Sequence, residues 1–452
     1  MKIIRRNVWQ TEQSLRDGGK KWSFWNDLIP YNDEIISFNT RSGAILLLNK
    51  DELNELKNVE SQRISQLYEI GVFVDAECDE LAKWSKDYCQ GKNDNTIVDM
   101  TIQLTQQCQF QCVYCFEGEE KGNHVLTDKA SLDIRHYIER RAPELKVLHI
   151  TWFGGEPLLG INRIRELSPF FLDICKKYGI RYYADMTTNG YTLTPTNSKI
   201  LFDECQVKRF IITIDGTKNV HDVRRPLRNG KGTFDIIWNN ISNLLNLGAT
   251  VTIRMTIDKS NVDDVRPFID YIARSEYARK VHIIFTKTFA VDSTPDNIRK
   301  QIYTDNEFSK IEMDLIEYAH KVGLLDFRTP RPTPLGGCLR KGDMAIGTDG
   351  EIYKCNSTMG SPEWITGYVG DTNNKEEPDW YKAWLSWEPA KRAKCKICKL
   401  QPLCNGGCPH NTLFSSKMHG SEVPCPDWIQ NYKEKVIRFV KDAVTNKAYE
   451  EI

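Results

Sequence analysis

The sequence predicts an α/β protein built around a parallel β-sheet that is open or curled into a partial barrel. Six short apolar segments have the character of buried strands, at residues 100–105, 147–153, 182–188, 209–214, 250–256 and 281–286. Amphipathic segments with helical spacing lie between them, for example at residues 128–142 and 233–248. Strands joined by crossover helices run parallel, and such folds place their chemistry at the carboxyl ends of the strands.

Two further zones flank this predicted partial (β/α)6 barrel. Before it, strands at 34–39 and 44–49, the helical segments "KDELNELKN" and "ESQRISQLYEIG", and "VFV" indicate a small winged-helix-like module. After about residue 335, cysteine, glycine and proline interrupt the chain until a helix at 427–446. The 452 residues are 40% hydrophobic, enough for two or three domains. We predict domains at 1–92, 93–325 and 326–452.

Charge and cysteine content narrow the class of protein. Lys plus Arg equals Asp plus Glu at 61 each, so no overall field attracts nucleic acid or a membrane surface. Neither a signal segment nor an apolar run of membrane-spanning length is present, which favours a cytoplasmic protein. In a reducing compartment, 14 cysteines with clustered spacings point to metal ligands instead of disulfides.

The segment "CQFQCVYC" (108–115) follows the first strand of the predicted barrel. It places Cys108, Cys112 and Cys115 in one loop at the rim of the sheet. Three thiolates complete three corners of a four-iron cluster and leave one iron free to bind another molecule. A zinc site or a chance grouping of cysteines is the alternative at this point.

The Cys-x3-Cys-x2-Cys spacing, with the aromatic Tyr114 before the last cysteine, resembles the loop of the radical S-adenosylmethionine (radical SAM) superfamily. That resemblance implies that the free iron chelates SAM. One electron, from a donor such as flavodoxin or ferredoxin, would then cleave SAM to a 5'-deoxyadenosyl radical that abstracts a hydrogen atom. No nucleic acid or membrane partner is expected.

Polar and glycine motifs follow the later strands in an order that resembles the same superfamily. "WFGGEP" supplies Gly154, Gly155 and Glu156, "TTNG" supplies Asn189, and "TIDG" supplies Asp215. By resemblance, Glu156 accepts from the SAM ammonium group, Asp215 holds a ribose hydroxyl, and Asn189 binds the ribose or the carboxylate. Arg254, on the fifth strand, is a charge-assisted partner for the SAM carboxylate. Each motif alone is weak evidence, because glycine pairs usually mark turns. The resemblance depends on all of the motifs following successive strands in the order found in the superfamily.

The last zone contains seven cysteines that resemble the SPASM extension of radical SAM enzymes that modify peptides and proteins. This resemblance implies two auxiliary four-iron clusters, one on Cys395, Cys398, Cys404 and Cys425 and the other on Cys338, Cys355 and Cys408. A zinc ribbon is an alternative for Cys395 and Cys398 alone, but seven cysteines do not fit one tetrahedral zinc. The expected cofactors are therefore three [4Fe-4S] clusters and SAM.

Two departures from the sulfatase maturases of this group suggest the reaction. Met344 stands where they have an extra cysteine, and Asn356 stands where an aspartate serves as their base. We therefore expect an open iron on the first auxiliary cluster, able to bind a substrate thiolate, and thioether cross-linking of a ribosomal precursor peptide. Carbon–carbon cross-linking and sulfatase-maturase-like oxidation are the alternatives. Catalytic residues beyond the cluster ligands are not identified.

By resemblance, the N-terminal module binds the leader of the precursor as an added strand. A structural cap on the barrel is the alternative role.

Overall fold

The computed structural model describes residues 1–6, 19–57, 63–115, 122–290, 294–332, 335, 337–371, 377–414 and 425–451. The described residues divide into two compact units. The first unit contains residues 1–93, 327–335 and 383–452, and the second contains residues 94–326 and 336–382. We call the second the barrel unit and the first the terminal unit.

The elements are as follows, in chain order. Residues 1–93 contain strands β1 (Lys2–Arg5), β2 (Lys20–Trp22), β3 (Asn26–Tyr31), β4 (Glu34–Asn39), β5 (Ile45–Leu48) and β6 (Phe73–Asp75), and helices α1 (Lys50–Lys57), α2 (Arg63–Glu69) and α3 (Glu80–Lys92). Residues 94–326 contain strands β7 (Ile97–Gln103), β8 (Val147–Phe153), β9 (Arg181–Thr188), β10 (Val207–Thr213), β11 (Thr250–Ile257) and β12 (Val281–Lys287), and helices α4 (Asp128–Arg141), α5 (Ile161–Tyr178), α6 (Pro195–Lys199), α7 (Lys218–Arg224), α8 (Phe234–Asn246), α9 (Val262–Ala273), α10 (Asp296–Arg299) and α11 (Asp305–Lys321). The remainder contains strands β13 (Met344–Ile346), β14 (Glu351–Tyr353), β15 (Gly367–Tyr368) and β16 (Glu450–Glu451), and helices α12 (Asp379–Leu385), α13 (Gln401–Cys404), α14 (Pro409–Phe414) and α15 (Tyr432–Thr445).

The barrel unit contains the six predicted strands, β7 to β12, as parallel neighbours in chain order. Alternate residues of β8 show why the helices cover one face. Leu148, Ile150 and Trp152 are fully buried, and Trp152 stacks on Phe171 of α5. The intervening residues of β8 are only half-buried and face the other side of the sheet. This arrangement confirms the predicted α/β class and parallel sheet.

Beyond β7 the sheet continues into the last third of the chain. β13 pairs with β7 in parallel, from Met344 opposite Met100 to Ile346 opposite Ile102, and β14 and β15 follow antiparallel. These strands cover an edge of β7 that would otherwise expose unpaired backbone groups. Residues 336–382 thus belong to the barrel unit, although the sequence analysis grouped them with the C-terminal zone. The three-domain division stays a prediction.

The terminal unit joins the two ends of the chain in one sheet. Its strand order is β16-β1-β5-β4-β3, so the last strand pairs with the first. All four residues of β5 are buried because helices cover both faces. Ile45 and Leu47 face a core shared with α15, whereas Leu46 and Leu48 face α1 and α2. The predicted strand, strand, helix, helix, strand order of residues 34–75 is present; its winged-helix character and role stay predictions.

None of the helices in the described part of the chain combines the length and apolar character needed to cross a bilayer.

Candidate cluster and cofactor site

The cysteine loop that follows β7 is held by backbone hydrogen bonds to the segment after α7. The Gln111 amide donates to the Pro226 carbonyl at 2.9 Å, and the Arg228 amide donates to the Gln109 carbonyl at 3.0 Å. Arg228 Nε also donates to the Cys108 carbonyl at 3.0 Å. The three cysteines are therefore positioned by a segment more than 100 residues later, which the sequence alone did not reveal.

Cys108 is the most enclosed of the three cysteines, at 7% exposed. Its sulfur accepts from the Phe110 amide at 3.4 Å and from Asn189 Nδ2 at 3.8 Å. Hydrogen bonds of this kind to cysteine sulfur are one means by which proteins set the potential of iron–sulfur clusters. Asn189, predicted as a SAM contact, thus also lies beside a predicted cluster ligand.

One cavity of about 340 Å³ joins eight of the ten residues predicted for the first cluster and for SAM, at the carboxyl ends of the barrel strands. This volume lies within the range of small-molecule sites, roughly 300–1,000 Å³. Its lining includes the predicted residues Cys108, Cys112, Cys115, Tyr114, Gly154, Gly155, Asn189 and Arg254. Three thiols beside a buried cation and a glycine-lined wall fit a four-iron cluster with a zwitterionic ligand. The assignment of each residue to SAM stays a prediction.

The two glycines after β8 allow the backbone to pass directly under the cysteine loop. Gly154 has φ +135°, and a Cβ there would lie 2.3 Å from the Thr105 carbonyl oxygen. A Cβ on Gly155 would lie 2.5 Å from the Gln106 carbonyl oxygen. The Gly155 amide donates to the Thr105 carbonyl at 2.9 Å. These glycines therefore serve the contact between two loops as well as lining the cavity.

Glu156 is fully buried behind the cavity and does not belong to its lining. Its carboxylate accepts from Thr188 Oγ1 at 2.6 Å and from the amides of Asn189 at 2.7 Å and Leu158 at 3.0 Å. Burial raises the pKa of Glu156, and these hydrogen bonds oppose the rise. The structure thus places Glu156 between the ends of β8 and β9, where it positions Asn189; the predicted contact with the SAM ammonium group stays untested.

Tyr114 and Asp215 form the centre of a buried polar network. The Tyr114 hydroxyl donates to Asp215 Oδ2 and accepts from Arg225 Nη1 at 2.7 Å. Arg224 lies over the Tyr114 ring at 4.8 Å, and its guanidinium binds both oxygens of Asp258 at 2.9 and 3.0 Å. Burial raises the pKa of Tyr114 well above its ordinary value, so its hydroxyl remains a donor. Asp215, also predicted as a SAM contact, is fully buried and outside the cavity lining.

Arg225 is a cavity residue that the sequence analysis did not single out. It is 8% exposed, lines the cavity, and its buried Nε has no hydrogen-bond partner among the described residues. Burial alone lowers the pKa of Arg225, but the charges of Cys112 and Asp215 and the hydrogen bond to Tyr114 outweigh it and raise that pKa well above its ordinary value. The "HDVRR" segment shows a basic pair after the strand-end motif, but nothing in it indicates which of the two arginines faces the cavity.

Arg254, on β11, projects into the same cavity. Its Nε and Nη2 donate to Thr213 Oγ1 at 3.1 and 3.0 Å. Burial lowers the pKa of Arg254, and the neighbouring charge of Arg225 lowers it further. Arg225, which is buried, and Arg254, which is half-buried, thus provide two positive charges facing the cavity, which favours an anionic group there. Lys287, at the end of β12, also lines the cavity and forms an ion pair with Asp305.

The terminal unit contains the second predicted set of cysteines. Burial raises the pKa of Cys395, Cys398 and Cys404, the last to about 12, and the charges of neighbouring cysteines, including Cys425, add to each rise. The Cys398 and Cys404 sulfurs accept from the Leu400 and Gly406 amides, each at 3.4 Å. Metal binding deprotonates such thiols, so this group also fits an iron–sulfur cluster.

The third predicted set of cysteines comprises Cys338, Cys355 and Cys408. In the barrel unit, Cys338 lies in the turn Gly337–Leu339 and Cys355 follows β14. Between them, the buried Lys354 ammonium donates to the carbonyls of Arg340 at 2.7 Å and Asp343 at 2.6 Å. Cys408 is exposed in the terminal unit. Met344 begins β13, and Asn356 is exposed just after Cys355. The ligand set of Cys338, Cys355 and Cys408 stays a prediction.

Over the described ranges, no three His, Cys, Asp or Glu side chains converge on a single metal-ion position. Cluster ligands need no such convergence, because each thiolate binds a different iron.

Comparisons with known proteins find a matching family model and related sequences. Residues 102–272 match the model of the radical SAM superfamily. Over 336 residues the chain is 23% identical to the cysteine-type anaerobic sulfatase-maturating enzyme of Clostridium novyi (strain NT), covering 68% of this chain and 86% of that protein. It is 25% identical over 283 residues to the GTP 3',8-cyclase of Staphylococcus haemolyticus (strain JCSC1435), covering 57% and 78%.

A solved structure also resembles this chain. It is described as native anSMEcpe with bound AdoMet and Cp18Cys peptide, with a TM-score of 0.57 at 16% identity, covering 78% of this chain and 99% of that one. At this identity the likeness shows the fold.

Proposed function

Because residues 102–272 form a domain of the radical SAM superfamily, we propose that this protein is a radical SAM enzyme that modifies a ribosomally synthesised precursor peptide. We propose further that it joins a cysteine sulfur to a carbon of an acceptor residue. The main support for radical SAM chemistry is that Cys108, Cys112 and Cys115 line one cavity together with Gly154–Gly155, Asn189 and Arg254.

Different residues of the cavity would bind the cluster and SAM. When bound, the cluster and SAM supply a 5'-deoxyadenosyl radical that removes a hydrogen atom from the substrate. Cys108, Cys112 and Cys115 would hold the cluster, and Arg254 and Arg225 would hold the SAM carboxylate by charge-assisted hydrogen bonds. The Tyr114 hydroxyl, fixed by Asp215, keeps the Arg225 guanidinium directed at the cavity.

The proposed auxiliary clusters would lie on Cys395, Cys398, Cys404 and Cys425, and on Cys338, Cys355 and Cys408. Thioether formation removes two hydrogen atoms from the peptide. One leaves as the hydrogen atom taken by the radical, and the other leaves as the thiol proton together with one electron, for which the auxiliary clusters are the proposed acceptors. Met344 in place of a further cysteine is the feature that suggests a free iron for the substrate thiolate.

Sulfatase-maturase-like oxidation is a second candidate function. The observation in its favour is the 23% identity to a cysteine-type anaerobic sulfatase-maturating enzyme over 68% of this chain. Asn356 is the observation against it, because an amide cannot accept a proton as the aspartate of those enzymes does. Carbon–carbon cross-linking is a third outcome of the same radical chemistry.

The deciding experiment is the mass of a cysteine-rich peptide encoded beside this protein, after anaerobic co-expression. Loss of two hydrogens per cysteine, with those cysteines resistant to alkylation, supports the thioether proposal. The same loss with all cysteines alkylatable indicates carbon–carbon bonds. Oxidation of a sulfatase-derived peptide with an unchanged precursor mass would favour the second candidate.

The leader-binding role of the N-terminal module needs point variants instead of a deletion. Ile4, Ile36 and Phe38 share one core with Leu400 and Val436, so removal of residues 1–92 would also expose the core beneath the cysteines of the terminal unit. Exposed positions on the outer strands are the appropriate sites for substitution.

A further inference from the structure

The cysteine loop is hydrogen-bonded to residues 223–232, "VRRPLRNGKG", which contain four basic residues and no acidic one. Besides the hydrogen bonds from Gln111 to Pro226 and from Arg228 to Gln109, Phe110 and Leu227 form an isolated antiparallel bridge. This basic segment is therefore fixed directly against the loop that carries the three cysteines.

The four basic side chains lie in two different environments. Arg224 and Arg225 are buried and bind Asp258 and Tyr114. Arg228 and Lys231 are exposed, and within the described ranges neither of them forms an ion pair. Their two positive charges are thus available at the surface, and the guanidinium of Arg228 contacts the backbone of Cys108.

Two exposed valines belong to these segments, Val113 to the cysteine loop and Val223 to the basic segment. Val223 is 72% exposed and Val113 is 45% exposed. The Val113 amide donates to the carbonyl of Arg224 at 3.1 Å, which brings the cysteine loop next to the end of α7. We call Val113, Val223, Arg228 and Lys231 the outer patch. A local excess of charge of one sign attracts and orients a partner whose surface carries the opposite charge.

We propose that the outer patch is the docking surface for a small one-electron carrier protein with an acidic surface around its redox group. The inference rests on the proposed function, since the radical reaction needs one electron for each SAM cleaved. In the transfer the reduced carrier loses one electron and the group held by Cys108, Cys112 and Cys115 gains it, with no bond formed. Lys plus Arg equals Asp plus Glu at 61 each, so attraction of an acidic carrier must come from a local patch.

The test compares two reductants on the same variants. Lys231→Glu reverses one charge of the outer patch, and Val223→Glu is a second variant that adds a negative charge to its apolar part. Lys176→Glu is the matched control, because Lys176 is exposed near the end of α5, just before the amino end of β9, whereas the cysteine loop follows the carboxyl end of β7. Production of 5'-deoxyadenosine is measured with dithionite and with an acidic reduced flavodoxin at low salt.

We expect all three variants to match the wild type with dithionite. With flavodoxin, Lys231→Glu and Val223→Glu should lower kcat/KM for the carrier by about three- to tenfold, because rim charges act mainly on association. The difference should narrow at about 0.5 M salt, where surface charges are screened. Lys231→Glu and Val223→Glu should also weaken the binding of flavodoxin to cluster-free protein. Lys176→Glu should change neither the kcat/KM for flavodoxin nor its binding.

Equal flavodoxin rates for the wild type and both outer-patch variants would overturn the docking surface, as would an equal loss in Lys176→Glu. Failure of the wild type to cleave SAM with dithionite would instead contradict the proposed function. If one outer-patch variant loses its activity with dithionite, the docking surface is judged from the flavodoxin rate of the other variant and from the binding of flavodoxin to cluster-free protein.

Discussion

Replacing His149 with glutamine should remove a pH-dependent part of the stability of the barrel sheet. His149 lies on β8 between two carboxylates of neighbouring strands, with Nδ1 at 3.2 Å from Asp99 and Nε2 at 2.9 Å from Asp185. Asp185 also binds Arg209 on β10 through two bonds of 2.6 Å. These side chains form a row of alternating charge across four parallel strands, and His149 is the member that loses its charge in mildly alkaline solution.

The size of the effect follows from the pKa of His149. Burial alone lowers this pKa, but hydrogen bonds to Asp185 and Asp99 and their charges outweigh it and raise the pKa from 6.5 to about 9. Because the pKa is raised in the folded state, the contribution is fully present below about pH 6.5 and is lost as the pH rises through about 9. By linkage, protonation of His149 contributes about 3 kcal/mol to the free energy of unfolding at pH 6, about 2 kcal/mol at pH 7.5 and nearly zero at pH 10.

The assay is urea unfolding of cluster-free wild type and His149→Gln at pH 6, 7.5 and 10. We expect the variant to be destabilised most at pH 6 and to approach the wild type at pH 10. His282→Gln, at an exposed histidine on β12, should follow the wild type at every pH. A difference between the wild type and His149→Gln that stays constant from pH 6 to 10 would refute the charge-row argument and leave only a packing effect.

The other predictions concern the site. Cys108→Ala should abolish SAM cleavage and remove about four irons per chain, measured by 5'-deoxyadenosine and iron assays, while Cys78→Ser, outside the predicted ligand sets, should retain both. Glu156→Gln replaces one acceptor oxygen with a donor against the amide of Asn189 or Leu158, which should lower the free energy of unfolding by about 2–4 kcal/mol; an unchanged urea midpoint would contradict its positioning role. Arg254→Met should raise the Kd for SAM by about tenfold or more by calorimetry, with cluster content unchanged; equal affinity would remove Arg254 from the SAM site. Lys354→Met leaves carbonyls near Cys338 and Cys355 without their donor and should cost about 2–3 kcal/mol, seen as a lower Tm that Lys354→Arg partly restores.

Much of the barrel unit was predictable, because each strand is a short apolar segment and each crossover helix has apolar residues at helical spacing. The predicted strand at 147–153 matches β8, and those at 182–188 and 209–214 differ from β9 and β10 by one or two residues. The cysteine spacing and the strand-end glycines carried equally local signals. Eight of the predicted site residues accordingly meet in one cavity.

What the sequence did not reveal depends on long-range contacts. A local pattern could not show that Glu156 accepts three hydrogen bonds behind the cavity, since a carboxylate next to a glycine pair is equally suited to bind a ligand. Nor could it show that Arg225, one residue from the more deeply engaged Arg224, turns into the cavity. Adjacent residues on a short helix point in different directions, and only the packing of Tyr114 and Asp215 selects between them.

The sequence by itself determined the class of the fold, the position of the three-cysteine loop and the order of the strand-end motifs, because these are properties of short segments. The tertiary structure alone decided how the two ends of the chain combine. β16 pairs with β1, and α15 covers the sheet of the N-terminal segment, while β13 extends the barrel sheet beside β7. Pairings between strands more than 200 residues apart are set by which edges and apolar faces need covering, and no local pattern encodes that choice.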